Sequence, residues 1–341
     1  MGPRARVPEV RKAKEAPPDP GALQICPNHL SEAPCSNTAR MNLALRTPNP
    51  EHQTRLSNIC LQTHSSPNSS MESLSSLGII AGNGVYPFLV ARAARQKGID
   101  AIHVAAFEHE TDPKLAELAD TLEWMRVGQL TRLLKYFEKF GVRSAIMAGQ
   151  IVPKNLFELR PDLRSLMLLA NLKERNAATL FGAVASQLEK VGVQLLPATT
   201  FLEDSLAQPG LIAGPKPRKR LLDDARFGLR IAKEVSRLDI GQTVIVRNGT
   251  VLAVEAFEGT NEAIRRGASL GRGQTVVVKV SKPDQDLRFD VPVIGCQTIE
   301  IASEAGIKLI ALEAGKTLLL DLAAVKTAAE SSQLTLYGLN E

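Results

Sequence analysis

Between Val251 and Gly267 the chain reads V-L-A-V-E-A-F-E-G-T-N-E-A-I-R-R-G. This places Glu255, Glu258 and Asn261 close together, with Arg265 and Arg266 about one turn later. Carboxylate and amide oxygens so grouped suit a hard cation, or the holding of a water molecule against a reacting bond. With Asp290 and Asp239 as outlying acids, Glu255 and Glu258 offer Mg²⁺ one or two carboxylates, and a substrate's own phosphates would complete the octahedron. The ordinary reading of the same residues is an N-cap, a first-turn acid and a solvated basic face.

The elements needed to position these groups can be read from the pattern. Val251 to Glu255 is a buried strand, Gly259-Thr260 a turn, and a helix opens near Asn261. A helix N-terminus presents free N–H groups and the positive end of its dipole, which favours phosphate. Lys279, Lys282 and Arg288 lie in V-V-V-K-V-S-K-P-D-Q-D-L-R-F-D, after another strand, where they could neutralise phosphate charge or simply form a charged loop. Earlier in the chain, Gly82-Asn83-Gly84 follows an apolar strand and begins like a dinucleotide fingerprint, but Pro87 stands where the third Gly belongs. A ligand-binding loop and a tight turn are both open there.

At 341 residues the chain is long enough for two domains. Its first seventy residues hold ten of the twenty prolines and three of the four cysteines, and they lack sustained periodicity. They read as disordered, or as an extension upstream of a true start at Met71. Lys and Arg number 8 there against 5 for Asp and Glu, which leaves 33 and 31 of the chain totals of 41 and 36 for the remainder. That near balance points away from a nucleic-acid partner. No run approaches the ~20 apolar residues of a membrane span, no secretory h-region stands out, and Cys296 alone remains beyond the tail, so a cytoplasmic setting is expected.

Periodicity beyond the tail predicts strands at 77–81, 101–106, 121–127, 144–149 and 193–196, alternating with helices at 85–97, 129–140 and much of 161–191. This is the pattern of a doubly wound parallel sheet. A run rich in Pro, Gly and basic residues, 208–220, reads as a linker. Beyond it come a helix at 222–238, a hairpin turning at Asn248-Gly249, and further strands and helices of a mixed α/β unit. The expected architecture is α/β, with a Rossmann-like domain over 75–207, a linker over 208–222 and a second, mixed α/β domain over 223–341, preceded by the extension 1–74.

Other motifs fall away. Gly267-Ala268-Ser269-Leu270-Gly271 matches a nucleophile elbow but follows a helix where a strand is needed, and no histidine lies downstream. Gly315-Lys316-Thr317 lacks the first glycine of a P-loop. His103 and His109 are the only histidines after the tail, too few for a multi-histidine metal centre. His103, on a strand, reads as a core residue.

Five strings carry a resemblance: L-G-I-I-A-G-N-G-V-Y-P from Leu77, S-A-I-M-A-G-Q-I from Ser144, R-L-D-I-G-Q-T-V-I-V from Arg237, V-L-A-V-E-A-F-E-G-T-N from Val251, and V-V-K-V-S-K-P-D-Q-D-L-R-F-D-V-P-V-I-G from Val277. Over about residues 75 to 341 the chain resembles the LpxI-type UDP-2,3-diacylglucosamine pyrophosphatases. The resemblance implies Mg²⁺-dependent hydrolysis of the diphosphate of a diacylated UDP-glucosamine, releasing UMP and the lipid monophosphate lipid X for lipid A synthesis. It also implies a Rossmann-like amino-terminal domain, a carboxyl-terminal α/β domain, and a substrate held between them.

On that basis Asn261, Glu258 and Glu255 are the expected catalytic residues. Gly82, Asn83, Gly84, Lys279, Lys282, Arg288 and Arg265 are the expected substrate contacts, and Glu258 and Asp290 the expected metal ligands. The expected partner is the lipid-linked UDP-sugar, with room for peripheral contact with the inner membrane surface and for a homodimer. The chain departs from the family's pattern at Asn261, where E-G-T is followed by Asp. An amide can lend a carbonyl oxygen to a cation but cannot act as a base. Either Glu258 or Glu255 takes that role, or the chain is a silent member that binds a nucleotide-linked or lipid phosphate as carrier or regulator.

Overall fold

The computed structural model describes residues 74–151, 161–170, 172 and 177–340. The expectation for the amino-terminal extension therefore lies outside the described residues. The first half comprises β1 (Ser76–Ala81), α1 (Tyr86–Gln96), β2 (Ala101–Phe107), β3 (Thr121–Met125), α2 (Leu130–Lys139), β4 (Ser144–Ala148), α3 (Leu163–Ala170), α4 (Ala177–Lys190) and β5 (Gln194–Leu195). Its five strands run parallel in the order β3-β2-β1-β4-β5. The inner strands are apolar on both faces because helices cover both; in β1 every residue after Ser76 is buried. The chain winds outward from β1 in both directions, which makes the gap beyond the carboxyl ends of β1 and β4 a topological switch point.

The second half comprises β6 (Gly210–Ala213), α5 (Lys219–Arg237), β7 (Thr243–Arg247), β8 (Thr250–Val254), α6 (Thr260–Gly271), β9 (Val276–Lys279), β10 (Val293–Ile294), α7 (Cys296–Glu304), β11 (Leu309–Glu313), β12 (Leu318–Leu319), α8 (Leu322–Ser331) and β13 (Thr335–Leu339). Its main sheet has the order β6-β13-β11-β9-β7-β8, with β13, β11 and β9 parallel and β6, β7 and β8 each antiparallel to an inner neighbour. Period-2 alternation sorts its side chains. Val244, Val246, Val276 and Val278 pack with Ala225, Leu229 and Ala232 of α5 on one face. Ile245, Val277, Ile310 and Leu312 pack with Ala263, Ile264 and Ala268 of α6 on the other. Two helix glycines let the layers close: a Cβ at Gly228 would lie 2.6 Å from Val278, and one at Gly267 would lie 2.6 Å from Ile245.

The run read as a linker is part of this fold. Leu211 and Gly210 of β6 pair antiparallel with Tyr337 and Gly338, and α5 starts at Lys219, earlier than the apolar spacing indicates. Within this run Gly214 approaches backbone closely: a Cβ there would sit 2.1 Å from the Leu334 carbonyl oxygen.

β10 and β12 pair parallel in a small sheet of their own, and this pair forms a seam with the first sheet. Leu318 is buried in the same cluster as Leu77, Ile79 and Val90, with Val291, Val293 and Leu320 packed against it. Ala207 N–H donates to the Thr317 carbonyl at 2.8 Å, and Ala198 N–H donates to that of Leu287 at 2.7 Å. Among the described residues no helix is long and apolar enough to cross a membrane.

Candidate active site

β8 ends at Val254, but the ladder continues for one residue, because Glu255 N–H donates to the Thr243 carbonyl at 2.8 Å. Gly241 fits against this point; a Cβ on it would lie 2.0 Å from the Glu255 carbonyl oxygen. Lys279, at the end of β9, is in register with Thr243. These pairings bring the Glu255 carboxylate and the Lys279 ammonium to one end of the sheet, where α6 begins. Thr260, the first residue of α6, stands between them. Its hydroxyl donates to Glu255 Oε1 at 2.7 Å and accepts from Lys279 Nζ at 2.8 Å. Lys279 is 7% exposed and also faces Thr243 Oγ1 at 3.5 Å. Glu255 Oε2 is buried and has no hydrogen-bond partner among the described residues.

Two helix starts meet beside this chain of contacts. Gly259 caps α6 with φ 85°, a conformation suited to glycine, and Gly295 caps α7; neither helix has a side-chain cap. Thr298 Oγ1 in the first turn of α7 donates to Asn261 Oδ1 in the first turn of α6 at 3.3 Å. The positive ends of two helix dipoles therefore lie side by side, with Lys279 close behind one of them.

The other expected site residues are placed differently. Glu258 pairs with Arg266 and accepts from Ala256 N–H at 3.1 Å; the Arg266 hydrogen bond, helped by backbone donors, holds its carboxyl below the ordinary glutamate value. Arg266 also donates to the Val254 carbonyl at 2.8 Å, so Glu258 and Arg266 latch the loop onto β8. Arg265 pairs with Glu262 on the exposed side of α6. Lys282 is taken up by Asp239, with Asp290 at 3.8 Å. Arg288 grips Asp286 and reaches Glu189 of α4 at 3.0 Å. That grip, above all the Arg288 hydrogen bond, holds the Asp286 carboxyl below its ordinary value.

Gly82, Asn83 and Gly84 lie on the first sheet, at its switch point. Asn83 N–H donates to the Gln150 carbonyl at 2.7 Å, and a Cβ on Gly82 would lie 2.5 Å from that same oxygen. Gly82 is thus required by the packing of two loops. Asn83 and Gly84 are exposed at the switch point, and Gly84 has φ 93° with open space around it.

Glu255, Asn261 and Lys279 are thus gathered around the start of α6, while Glu258, Asp290, Lys282, Arg265 and Arg288 are engaged in ion pairs. Among the described residues no group of three or more His, Cys, Asp or Glu side chains is placed to hold a metal ion. Glu258 and Asp290, each already facing a cationic side chain, do not fit that ion as arranged. Glu255, with an orphaned oxygen, fits as the single carboxylate beside a substrate's phosphates.

In the sequence Thr260 reads as part of a turn, and Thr243, Thr298 and Gln285 do not stand out as site residues. Gln285 Oε1 accepts from Lys282 N–H and Ser281 Oγ, both at 2.7 Å. Since a backbone N–H can only donate, this fixes the amide's orientation, and its Nε2 is left buried without a partner among the described residues. Its signal was the K-P-D-Q-D-L-R-F-D string itself.

Comparison with known proteins places both halves in one family. A family model described as the LpxI N-terminal domain matches residues 76–205, and one described as the LpxI C-terminal domain matches residues 208–337. UDP-2,3-diacylglucosamine pyrophosphatase LpxI of Caulobacter vibrioides is 32% identical over 277 residues, covering 77% of this chain and 97% of that protein. Among solved structures, CobK precorrin-6A reductase is 14% identical with a TM-score of 0.28, covering 78% of this chain and 88% of its own. The biotin carboxylase subunit of pyruvate carboxylase is 15% identical with a TM-score of 0.23, covering 53% of this chain and 35% of its own.

Proposed function

The chain belongs to the LpxI family, and from this premise we propose that it hydrolyses the diphosphate of UDP-2,3-diacylglucosamine to UMP and 2,3-diacylglucosamine 1-phosphate, lipid X, in the cytoplasmic phase of lipid A synthesis. The observation that carries the reading is the meeting of two helix starts without side-chain caps with the buried Lys279 and the half-paired Glu255.

Hydrolysis of a phosphoric anhydride consumes one water. Its oxygen bonds to one phosphorus, the bridging oxygen leaves with the other, and the water's protons pass to solvent or to a neighbouring base. The main catalytic demand is stabilisation of phosphoryl charge. The N–H groups opening α6 and α7 would face that charge, and the Lys279 ammonium would add to their field. Glu255 is the carboxylate assigned to orient the water. Asn261, between the helix starts, offers its amide N–H₂ to a phosphoryl oxygen while Oδ1 accepts from Thr298. Mg²⁺, held by Glu255 together with the substrate's own oxygens, would supply charge neutralisation when bound.

Contact with a membrane surface is supported by α3, where Leu163, Leu166 and Met167, at helical spacing, are each more than half exposed. The second reading, a silent member acting as carrier or regulator, rests on Asn261. UMP release from UDP-2,3-diacylglucosamine, measured with added Mg²⁺ and again with EDTA, tests the proposal. Metal-dependent turnover supports it, and binding of the lipid nucleotide without UMP release would favour the carrier.

A further inference from the structure

Among the described contacts Glu255 and Lys279 share no direct hydrogen bond or ion pair; the Thr260 hydroxyl bridges them. The polarity of that link follows from the donors available. A lysine ammonium has three donors and no acceptor, so in its 2.8 Å contact with Thr260 Oγ1 the hydroxyl oxygen accepts. The hydroxyl has a single proton, which it gives to Glu255 Oε1 at 2.7 Å. Each partner is fixed by its own element: Glu255 by the ladder bond to Thr243, Lys279 by its place in β9 and its burial, and Thr260 by the start of α6 behind Gly259. The contact engages Oε1 and leaves Oε2 as the oxygen without a partner.

Building on the reading above, we propose that Thr260 is a positioning residue for the hydrolysis: its hydroxyl is the link through which Lys279 orients the Glu255 carboxylate toward the reacting diphosphate. Nothing else among the observed contacts of Glu255 sets the rotation of its carboxylate. Without the hydroxyl, the one remaining hydrogen-bond contact of Lys279 among the described residues is the long one to Thr243 Oγ1.

The test uses the full chain and two substitutions of different kinds. Thr260→Val keeps the branched shape and removes the hydroxyl; Thr260→Ser keeps the hydroxyl and removes the methyl. With UDP-2,3-diacylglucosamine as substrate, Thr260→Val is expected to lower kcat about 10- to 100-fold with KM changed by less than about threefold, and Thr260→Ser to restore kcat to within about threefold of wild type. Equal kcat for Thr260→Val and wild type overturns the proposal. So does a Ser variant as slow as the Val variant, or a loss confined to KM. Melting temperatures of Thr260→Val, Glu255→Gln and the double variant supply a readout independent of turnover. The double shift is expected to differ from the sum of the single shifts by about 2 °C or more, and simple additivity overturns the link. If the wild type releases no UMP, the proposed reaction fails, while this cycle still decides whether Thr260 and Glu255 are coupled.

Discussion

Asp224 of α5 accepts the backbone N–H groups of both Asn248 and Gly249, at 2.8 and 2.7 Å, so one helix carboxylate holds the tip of the β7–β8 hairpin. Asp224 is 5% exposed, and its removal leaves two N–H donors without their acceptor. Asp224→Ala is expected to destabilise the protein by about 3 kcal/mol, read from urea unfolding. An unchanged midpoint would show that solvent replaces the carboxylate at no cost.

The second prediction concerns Asn261 and Glu258, which have different partners in the structure. Asn261→Asp would add a carboxylate between two helix N-termini, facing the Thr298 hydroxyl. It is expected to raise Mg²⁺-dependent UMP release above wild type. Glu258→Gln removes the charge that holds Arg266 and is expected to lower the melting temperature by a few degrees at most, with kcat reduced less than about threefold, since exposed pairs contribute little. If Glu258→Gln abolishes turnover while Asn261→Asp changes nothing, Glu258 leaves its latch during catalysis and carries the chemistry.

Acid sensitivity should reside in part at Glu313. Its side chain is almost wholly buried, receiving Lys233 at 2.8 Å, Lys316 at 2.6 Å and Ser281 N–H at 2.8 Å. Burial pushes its carboxyl upward, but these donors outweigh burial and hold it below the ordinary value of 4.5. A depressed folded-state value means the contribution to stability is complete above about pH 4.5 and is lost as pH falls through the lower folded value. Glu313→Gln should therefore be less stable than wild type near neutrality, with the gap closing in acid. Urea midpoints taken from neutral to acid pH would show two parallel curves if Glu313 plays no part.

Gly241→Ala tests whether the site depends on close packing behind Glu255. The added methyl meets the Glu255 carbonyl oxygen at 2.0 Å, so the end of β8 must shift. A destabilisation of about 1–3 kcal/mol and a fall in UMP release are expected. Normal activity in this variant would mean that the Glu255 position tolerates displacement.

Much of the fold was written in local pattern. The Asn248-Gly249 turn announced the β7–β8 hairpin, period-2 runs of Val and Ile marked the strands, and the regular alternation of strand and helix gave the parallel first sheet. His103 is the packed residue expected, its Nδ1 2.8 Å from Thr121 Oγ1 and its ring stacked 5.0 Å from Phe140. Pairing between distant strands was not legible. Nothing local says that β7 lies beside β9, and only that register brings Thr243 and Lys279 together near Glu255. For the same reason the basic side chains read as phosphate ligands: sequence shows the charge of Lys282 and Arg288 and the neighbouring Asp286, but not that the distant Asp239 and Glu189 engage them. β6 was missed because its strand is short and its pairing partner, β13, lies at the far end of the chain.

The seam at Leu318 bears on how the chain folds as it leaves the ribosome. The core beneath β1 and α1 is completed by Leu318, Val293 and Leu320, which emerge long after β5. A nascent first half would expose this apolar patch until most of the second had been made, leaving an interval in which a holding chaperone would find its target.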